Sequence, residues 1–326
     1  MRKGSILLRI PARMRILAAS AIAAVASLAV VGCTAGTAPP RESPESTSSG
    51  SVASESDVHE VDLGDGRVLF MTCAGTGSPT VLLESGYHES SDAWMLAEDD
   101  TDRSVYARLA DRYRVCAYDR AGTLLLLNGA QSVTGRTTPV PMPRTAADVV
   151  EDLHAGFEGS GEQGPFILTA HSLGGFFARL YAQTYPEDLS GLVFVDAFPL
   201  EIPELFGDKW PAYKAVLDST GGGAAVEDYE QIDIEASIAQ LKEAPFPEIP
   251  VAVITKGEPF QGLPDSPVGF TAADLETAWV AGQSYLVALR PNTPHLIATG
   301  SDHYIHVRQP DLVEAMVDIV ANRAIR

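Results

Sequence analysis

The segment that most constrains this chain is His171-Ser172-Leu173-Gly174-Gly175, because of what stands on either side of it. Pro165 to Ala170 is a short apolar run that reads as a buried strand, and Phe176 to Tyr185 has the spacing of a helix. A serine on a sharp strand-to-helix turn sits in a strained backbone region, so only small residues fit two positions before and two after it. Ala170 and Gly174 meet that demand. The bland alternative is a Ser-Gly helix start with no chemistry.

The rest of the chain supplies a matching framework. With 326 residues, 45% of them hydrophobic, it can bury one large core or two modest ones, and one catalytic domain is expected over residues 58–326. From Val58 apolar and polar residues alternate around Gly64-Asp65-Gly66, the pattern of a hairpin. Strands then read at Thr80 to Glu84, Arg114 to Tyr118, Pro165 to Ala170, Leu192 to Val195 and Val251 to Thr255, with helices near Ser104 to Asp111 and Thr145 to Gly156. Such alternation predicts an α/β fold with a mostly parallel central sheet and helices on both faces. Residues 197–250 break the rhythm with short helical spacings around Gly221-Gly222-Gly223 and read as a cap over the sheet, or as ordinary crossover helices.

The N-terminus is a separate object. Met1 to Arg15 holds five basic residues and no acid, Ile16 to Val31 is apolar or small throughout, and Val30-Val31-Gly32-Cys33 resembles a bacterial lipobox. Residues 1–32 are therefore expected to be a lipoprotein signal peptide. Cys33 would be the lipidated residue that anchors an extracytoplasmic protein to the bacterial cell membrane. A plain signal peptide and an uncleaved anchor are the alternatives. Residues 33–57, rich in Ser, Thr, Pro and Glu, read as a flexible tether. Loss of residues 1–32 takes the formal charge from −20 to −25, which argues against nucleic acid and anionic membrane surfaces as ligands.

Glu84-Ser85-Gly86, Ser90-Ser91-Asp92-Ala93-Trp94, Tyr118-Asp119-Arg120-Ala121-Gly122 and Val195-Asp196-Ala197 accompany the serine turn. Together they resemble a bacterial group of α/β-hydrolases, serine hydrolases of the esterase and lipase kind, over about residues 66 to 322 apart from the cap. There the turn is usually G-x-S-x-G, where this chain has Ala170. The resemblance implies Ser172 as nucleophile and a base after the last strand. His303 fits, because Gly300-Ser301-Asp302-His303 to Gln309-Pro310 is similar to the family's S-G-H-x-x-H-x-x-Q-P run, with Asp302 where Gly is usual. His306 is the fallback. For the acid, Asp196 ends the sixth strand, with Glu258 and then Asp265 as alternatives after the seventh. The oxyanion hole would use the main-chain N–H groups of Leu173 and Tyr87, leaving the Tyr87 side chain to line an acyl site or simply to pack. Neighbouring second and fourth strands imply a Cys73 to Cys116 disulfide, the alternative being two buried thiols. Where relatives continue G-x-S, this chain has Thr123-Leu124-Leu125-Leu126-Leu127-Asn128, read as an unusual loop: an apolar wall, a membrane contact or a misplaced core segment.

The function these residues imply is cleavage of carboxylic esters through an acyl-enzyme, with a small-molecule substrate and no cofactor. Peptidase or amidase, lactonase and thioesterase chemistry share the same elements, and a binding lipoprotein without activity is the rival from another class. Serine at the turn opposes an epoxide hydrolase or dehalogenase, and no HExxH, paired CxxC or P-loop points to zinc or nucleotide.

Overall fold

The computed structural model describes residues 56–324, apart from 100–101, 128–129, 220–226 and 262–268. These all belong to the unit Val52–Arg326. The expected signal peptide with Cys33, the expected tether up to residue 55, Gly221 to Gly223 and Asp265 lie outside the described residues.

Eight strands form one sheet: β1 (Asp57–Gly64), β2 (Arg67–Ala74), β3 (Thr80–Glu84), β4 (Arg114–Tyr118), β7 (Phe166–His171), β8 (Leu189–Val195), β9 (Val251–Lys256) and β10 (His295–Ala298). Their spatial order is β1-β2-β4-β3-β7-β8-β9-β10. Only the β1–β2 and β2–β4 pairs are antiparallel. Gly64, Asp65 and Gly66 all take positive φ, so the backbone reverses tightly between β1 and β2. The central strands β3, β7 and β9 are buried along their whole length, as expected of parallel strands covered on both faces. Asp57, placed in the tether by the sequence, begins β1 instead.

Helices cover both faces. α1 (Val105–Leu109) and α9 (Pro310–Ala324) pack on one core, which includes Val81, Val115, Val193 and Ile254. α2 (Ala146–Ser160), α3 (Gly174–Thr184) and α7 (Ala272–Ala288) pack on the other, with Leu82, Leu168, Leu192 and Val253. Alternate residues of one strand thus feed opposite cores. Both α2 and α7 start on a capping box, Thr145 with Asp148 and Thr271 with Asp274, which fixes where each helix leaves the sheet. Between β8 and β9 the chain is helical, with α4 (Ile202–Phe206), α5 (Trp210–Ser219) and α6 (Ile234–Leu241).

Two local expectations need correction. Leu124–Leu127 is not a loop but strand β5, paired antiparallel with β6 (Ala130–Val133) in a separate two-stranded sheet, where the leucine run finds backbone partners along one edge. The segment after β10 contains a short helix, α8 (Ile305–Arg308), rather than loop alone.

A disulfide joins Cys73 to Cys116, which face each other in the β2–β4 register. It closes a 43-residue separation that spans β3 and α1. The Cys73→Ala/Cys116→Ala double variant is expected to lose about 2–4 kcal/mol of unfolding free energy in denaturant titration. An unchanged value would show that the bridge does not constrain the unfolded chain.

Candidate active site

The parallel strands all point their carboxyl ends to one edge of the sheet, where the connecting loops meet. Ser172 follows β7 with φ 51°, the strained turn foreseen in the sequence. A Cβ on Gly174 would come within 2.5 Å of the Ser85 carbonyl oxygen, so glycine is required where α3 passes the end of β3. Ala170 is fully buried, opposite Glu84 on β3 and Phe194 on β8, and its methyl group is accommodated there.

The Ser172 hydroxyl lies 2.9 Å from His303 Nε2, and His303 Nδ1 lies 2.6 Å from Asp196 Oδ2. The structure therefore brings together three residues that are 24 and 107 positions apart in sequence. Asp196 is wholly buried, and its other oxygen accepts from the Lys256 main-chain N–H at 3.1 Å. Burial holds the His303 ring below the ordinary histidine value, with the neighbouring His171 adding to the effect and Asp196 opposing it. Glu258 is exposed and does not contact His303; its main-chain N–H donates to the Ser301 carbonyl. His306 is buried against Trp94 and His171 and kept neutral by that burial.

Tyr87 and Leu173 line a cavity of about 570 Å³ together with Ser172 and His303. Among the described residues no acceptor takes the N–H of either. The Tyr87 ring stacks on His88, and its hydroxyl accepts from the Ile232 N–H in the segment between β8 and β9. Phe198, Tyr213, Leu217, Ile234, Phe260 and Trp279 supply an apolar wall, and Leu124 and Leu125 of β5 form part of another. No lysine or arginine lines the cavity among the described residues.

Two polar clusters brace this site, and neither was assigned a role from sequence. Arg120 sits buried between Glu84 and Glu230 and donates to the Ser85 and Gly86 carbonyls, at 2.9 and 2.6 Å. Glu230 in turn accepts from the His88 N–H at 2.8 Å. Tyr118 donates to Glu84. One cation thus serves two buried carboxylates. Burial raises Glu84 to about 7, whereas at Glu230 the attraction and hydrogen bond of Arg120, together with His88, outweigh burial and hold it below the ordinary value. The second cluster is Glu89 and His171. Glu89 Oε2 accepts from the Gly86 N–H at 2.8 Å and lies 3.0 Å from His171 Nδ1, while His171 Nε2 lies 3.0 Å from the His303 carbonyl. Glu89, His171 and His306 bring one ligand-type atom each within 4.8 Å of one another. Both His171 nitrogens are engaged by acceptors, which leaves that ring no lone pair for a cation.

Because Glu84 holds its proton more tightly in the folded state than at the ordinary value of 4.5, its contribution to stability is full below that value. It is lost as pH rises through about 7. Glu84→Gln is therefore expected to gain stability relative to the parent, on the order of 2 kcal/mol, between about pH 5 and about pH 8 in denaturant titrations. A difference that stays flat across that range would show that Glu84 is ionised throughout.

Residues 68–318 match the family model described as "Alpha/beta hydrolase family". An uncharacterized protein of Bacillus subtilis (strain 168), YqjL, is 24% identical over 251 residues, spanning 74% of this chain and 83% of that protein. Among solved structures, a serine hydrolase involved in carbazole degradation superposes with TM-score 0.52 at 18% identity, covering 82% of this chain and 100% of that one. A thermophilic esterase from Thermogutta terrifontis gives TM-score 0.52 at 15% identity, over 83% and 99%. At such identities the superpositions speak to the fold alone. The family match covers most of the chain, from the sheet's second strand to the last helix, and this chain therefore belongs to the alpha/beta hydrolase family.

Proposed function

We propose that the chain is a serine hydrolase that cleaves carboxylic esters through an acyl-enzyme. The observation that carries this reading is the run of hydrogen-bond distances from Ser172 Oγ through His303 to Asp196, 2.9 and 2.6 Å. His303 Nε2 takes the serine proton as Oγ attacks the carbonyl carbon, and returns it to the departing alkoxide. Asp196 orients the ring and stabilises the imidazolium that forms. The Leu173 and Tyr87 N–H groups receive the oxyanion, each worth about 3 kcal/mol in the transition state. Water, deprotonated by His303, then releases the acid and restores Ser172.

The cavity favours a neutral substrate. Its walls are largely aromatic and aliphatic, and no lysine or arginine among the described residues is there to meet a carboxylate or phosphate. The low value of the His303 ring suits a base that must be unprotonated near neutral pH.

A fluorophosphonate probe is expected to label the parent protein and not Ser172→Ala. Asp196→Asn should lose about 10⁴-fold in kcat by presenting the wrong tautomer, whereas Glu258→Gln should stay near parent activity. No labelling of the parent would favour a binding protein that has kept the fold. Cleavage of amides, lactones or thioesters in preference to simple esters would redirect the substrate assignment.

The same reading places the domain outside the cytoplasm, anchored by lipid on Cys33. Its support is the basic, apolar and Cys33-bounded N-terminus, together with a disulfide of the sort that persists in oxidising compartments. In cells fed a labelled fatty acid, the full chain is expected to take up label and Cys33→Ala to take up none. Equal labelling of both would put the acyl group elsewhere.

A further inference from the structure

Three loops must keep register for the chemistry above: the one after β3 with Tyr87, the turn after β7 with Ser172, and the one after β10 with His303. All three meet on one imidazole. His171 Nδ1 faces Glu89 Oε2, which belongs to the first loop and also accepts from the Gly86 N–H next to Tyr87. His171 itself precedes Ser172. Its Nε2 faces the main-chain carbonyl of His303.

The His303 carbonyl oxygen has no proton to give, so His171 Nε2 carries one hydrogen. At Nδ1 a second hydrogen leaves Glu89 ionised and accepting from both His171 and the Gly86 N–H, and the Glu89 carboxyl, held down to about 2, favours that placement over a neutral acid, so the ring is an imidazolium paired with a carboxylate. The packing is tight around this pair: a Cβ on Gly86 would come within 2.7 Å of Glu89 Oε2 and 2.9 Å of His171 Nδ1. The charge sits close to the reacting groups, with the His171 and His303 ring centres 4.6 Å apart.

We propose that His171, as a buried imidazolium held by Glu89, is a positioning residue for this reaction, which ties the three loops together and sets a fixed positive charge against His303. The proposal rests on the serine-hydrolase reading for its meaning in catalysis but not for its physical test. The groups that face His171 are Glu89 from the β3 loop, Asp196 behind His303, and His303, Tyr304 and His306 from the segment after β10. Those facing His303 are His171, Asp196 and Glu89, with the Tyr304 ring beside it and Asp302 next in sequence. Of these, His171 is the neighbouring positive charge. Burial alone would empty the His171 ring of its proton, and the attraction and hydrogen bond of Glu89, together with the His303 carbonyl and Asp196, more than offset that. Glu89 is held down to about 2, since the attraction and hydrogen bond of His171 outweigh its own burial.

The signs follow directly. Taking away the imidazolium makes His303 easier to protonate, so the acid limb of kcat/KM against pH moves to higher pH. For His171→Gln the expected shift is on the order of one pH unit. In Glu89→Gln the buried ring has no counter-charge and gives up its proton. Both charges vanish, and the limb moves the same way by less, because His171 acts on His303 more strongly than Glu89 does.

The experiment pairs that profile with ¹⁵N spectra of the histidine ring nitrogens in the full chain. In the parent, both His171 nitrogens are expected to carry hydrogens near pH 7, and in Glu89→Gln one of them is expected to lose its hydrogen. A merely structural contact would lower kcat without moving the acid limb, and a neutral His171 ring in the parent would overturn the proposal outright. If His171→Gln does not fold, Glu89→Gln and the parent spectrum still decide the matter. Ring protonation needs no turnover, so an inert parent with a protonated His171 would count against the hydrolase reading and leave the charge assignment standing.

Discussion

The positive φ at Ser172 is the constraint on which the rest of the site depends. A non-glycine residue is held there only when its surroundings determine it, and both main-chain groups of Ser172 are bonded to the β8 side. Its N–H donates to the Val195 carbonyl at 3.3 Å and its carbonyl accepts from Phe198 at 2.7 Å. Asp196 lies between those two partners and has positive φ as well, 41°. Nucleophile and acid loop therefore form one rigid body. Gly175 closes the remaining gap, for a Cβ there would come within 2.7 Å of the Ala197 Cβ.

Around that body the interior divides sharply by chemistry. On the β3 side, charges are buried in closed sets: Arg120 with Glu84 and Glu230, and Glu89 with His171. Removal from water makes such groups costly when unpaired, and here every charge has a partner that also grips a loop carbonyl or N–H. On the opposite side Phe198, Phe260 and Trp279 close over His303 with no charge of their own. The charges that hold the loops thus lie mostly behind the β3 loop, and of the two closed sets only Glu89 reaches the cavity wall. Glu230 links the two halves, since it comes from the segment between β8 and β9 yet bonds the β3 loop at His88.

Much of this was legible in the chain. Apolar runs such as Phe166 to Ala170 are too continuous for exposed strands, and small residues flank Ser172 where the turn needs them. Two departures from the family pattern have local answers: Ala170 packs in the space between β3 and β8, and Asp302 accepts from Arg308 and from the Tyr304 N–H, which ties it to the residues around the short α8. What sequence did not disclose was the long-range pairing of the buried charges. Arg120 and Glu230 are 110 positions apart, and Glu89 and His171 are 82 apart, so no spacing rule links them. Arg120 stood in a quoted motif, and His171 beside the serine, without any sign that each holds the β3 loop. The leucine run was misread for a similar reason: its partner strand, Ala130–Val133, carries little apolar signal of its own.

The central claim is that Ser172 is the atom donor that becomes acylated. Rapid quenching of the parent with a p-nitrophenyl ester, followed by mass spectrometry of the peptides, tests it most directly. A burst of p-nitrophenol and an acyl adduct on the peptide that contains Ser172 are expected, with both the burst and the adduct slowed when His303 is replaced by alanine. Turnover without an adduct, or an adduct on any other residue, would contradict it.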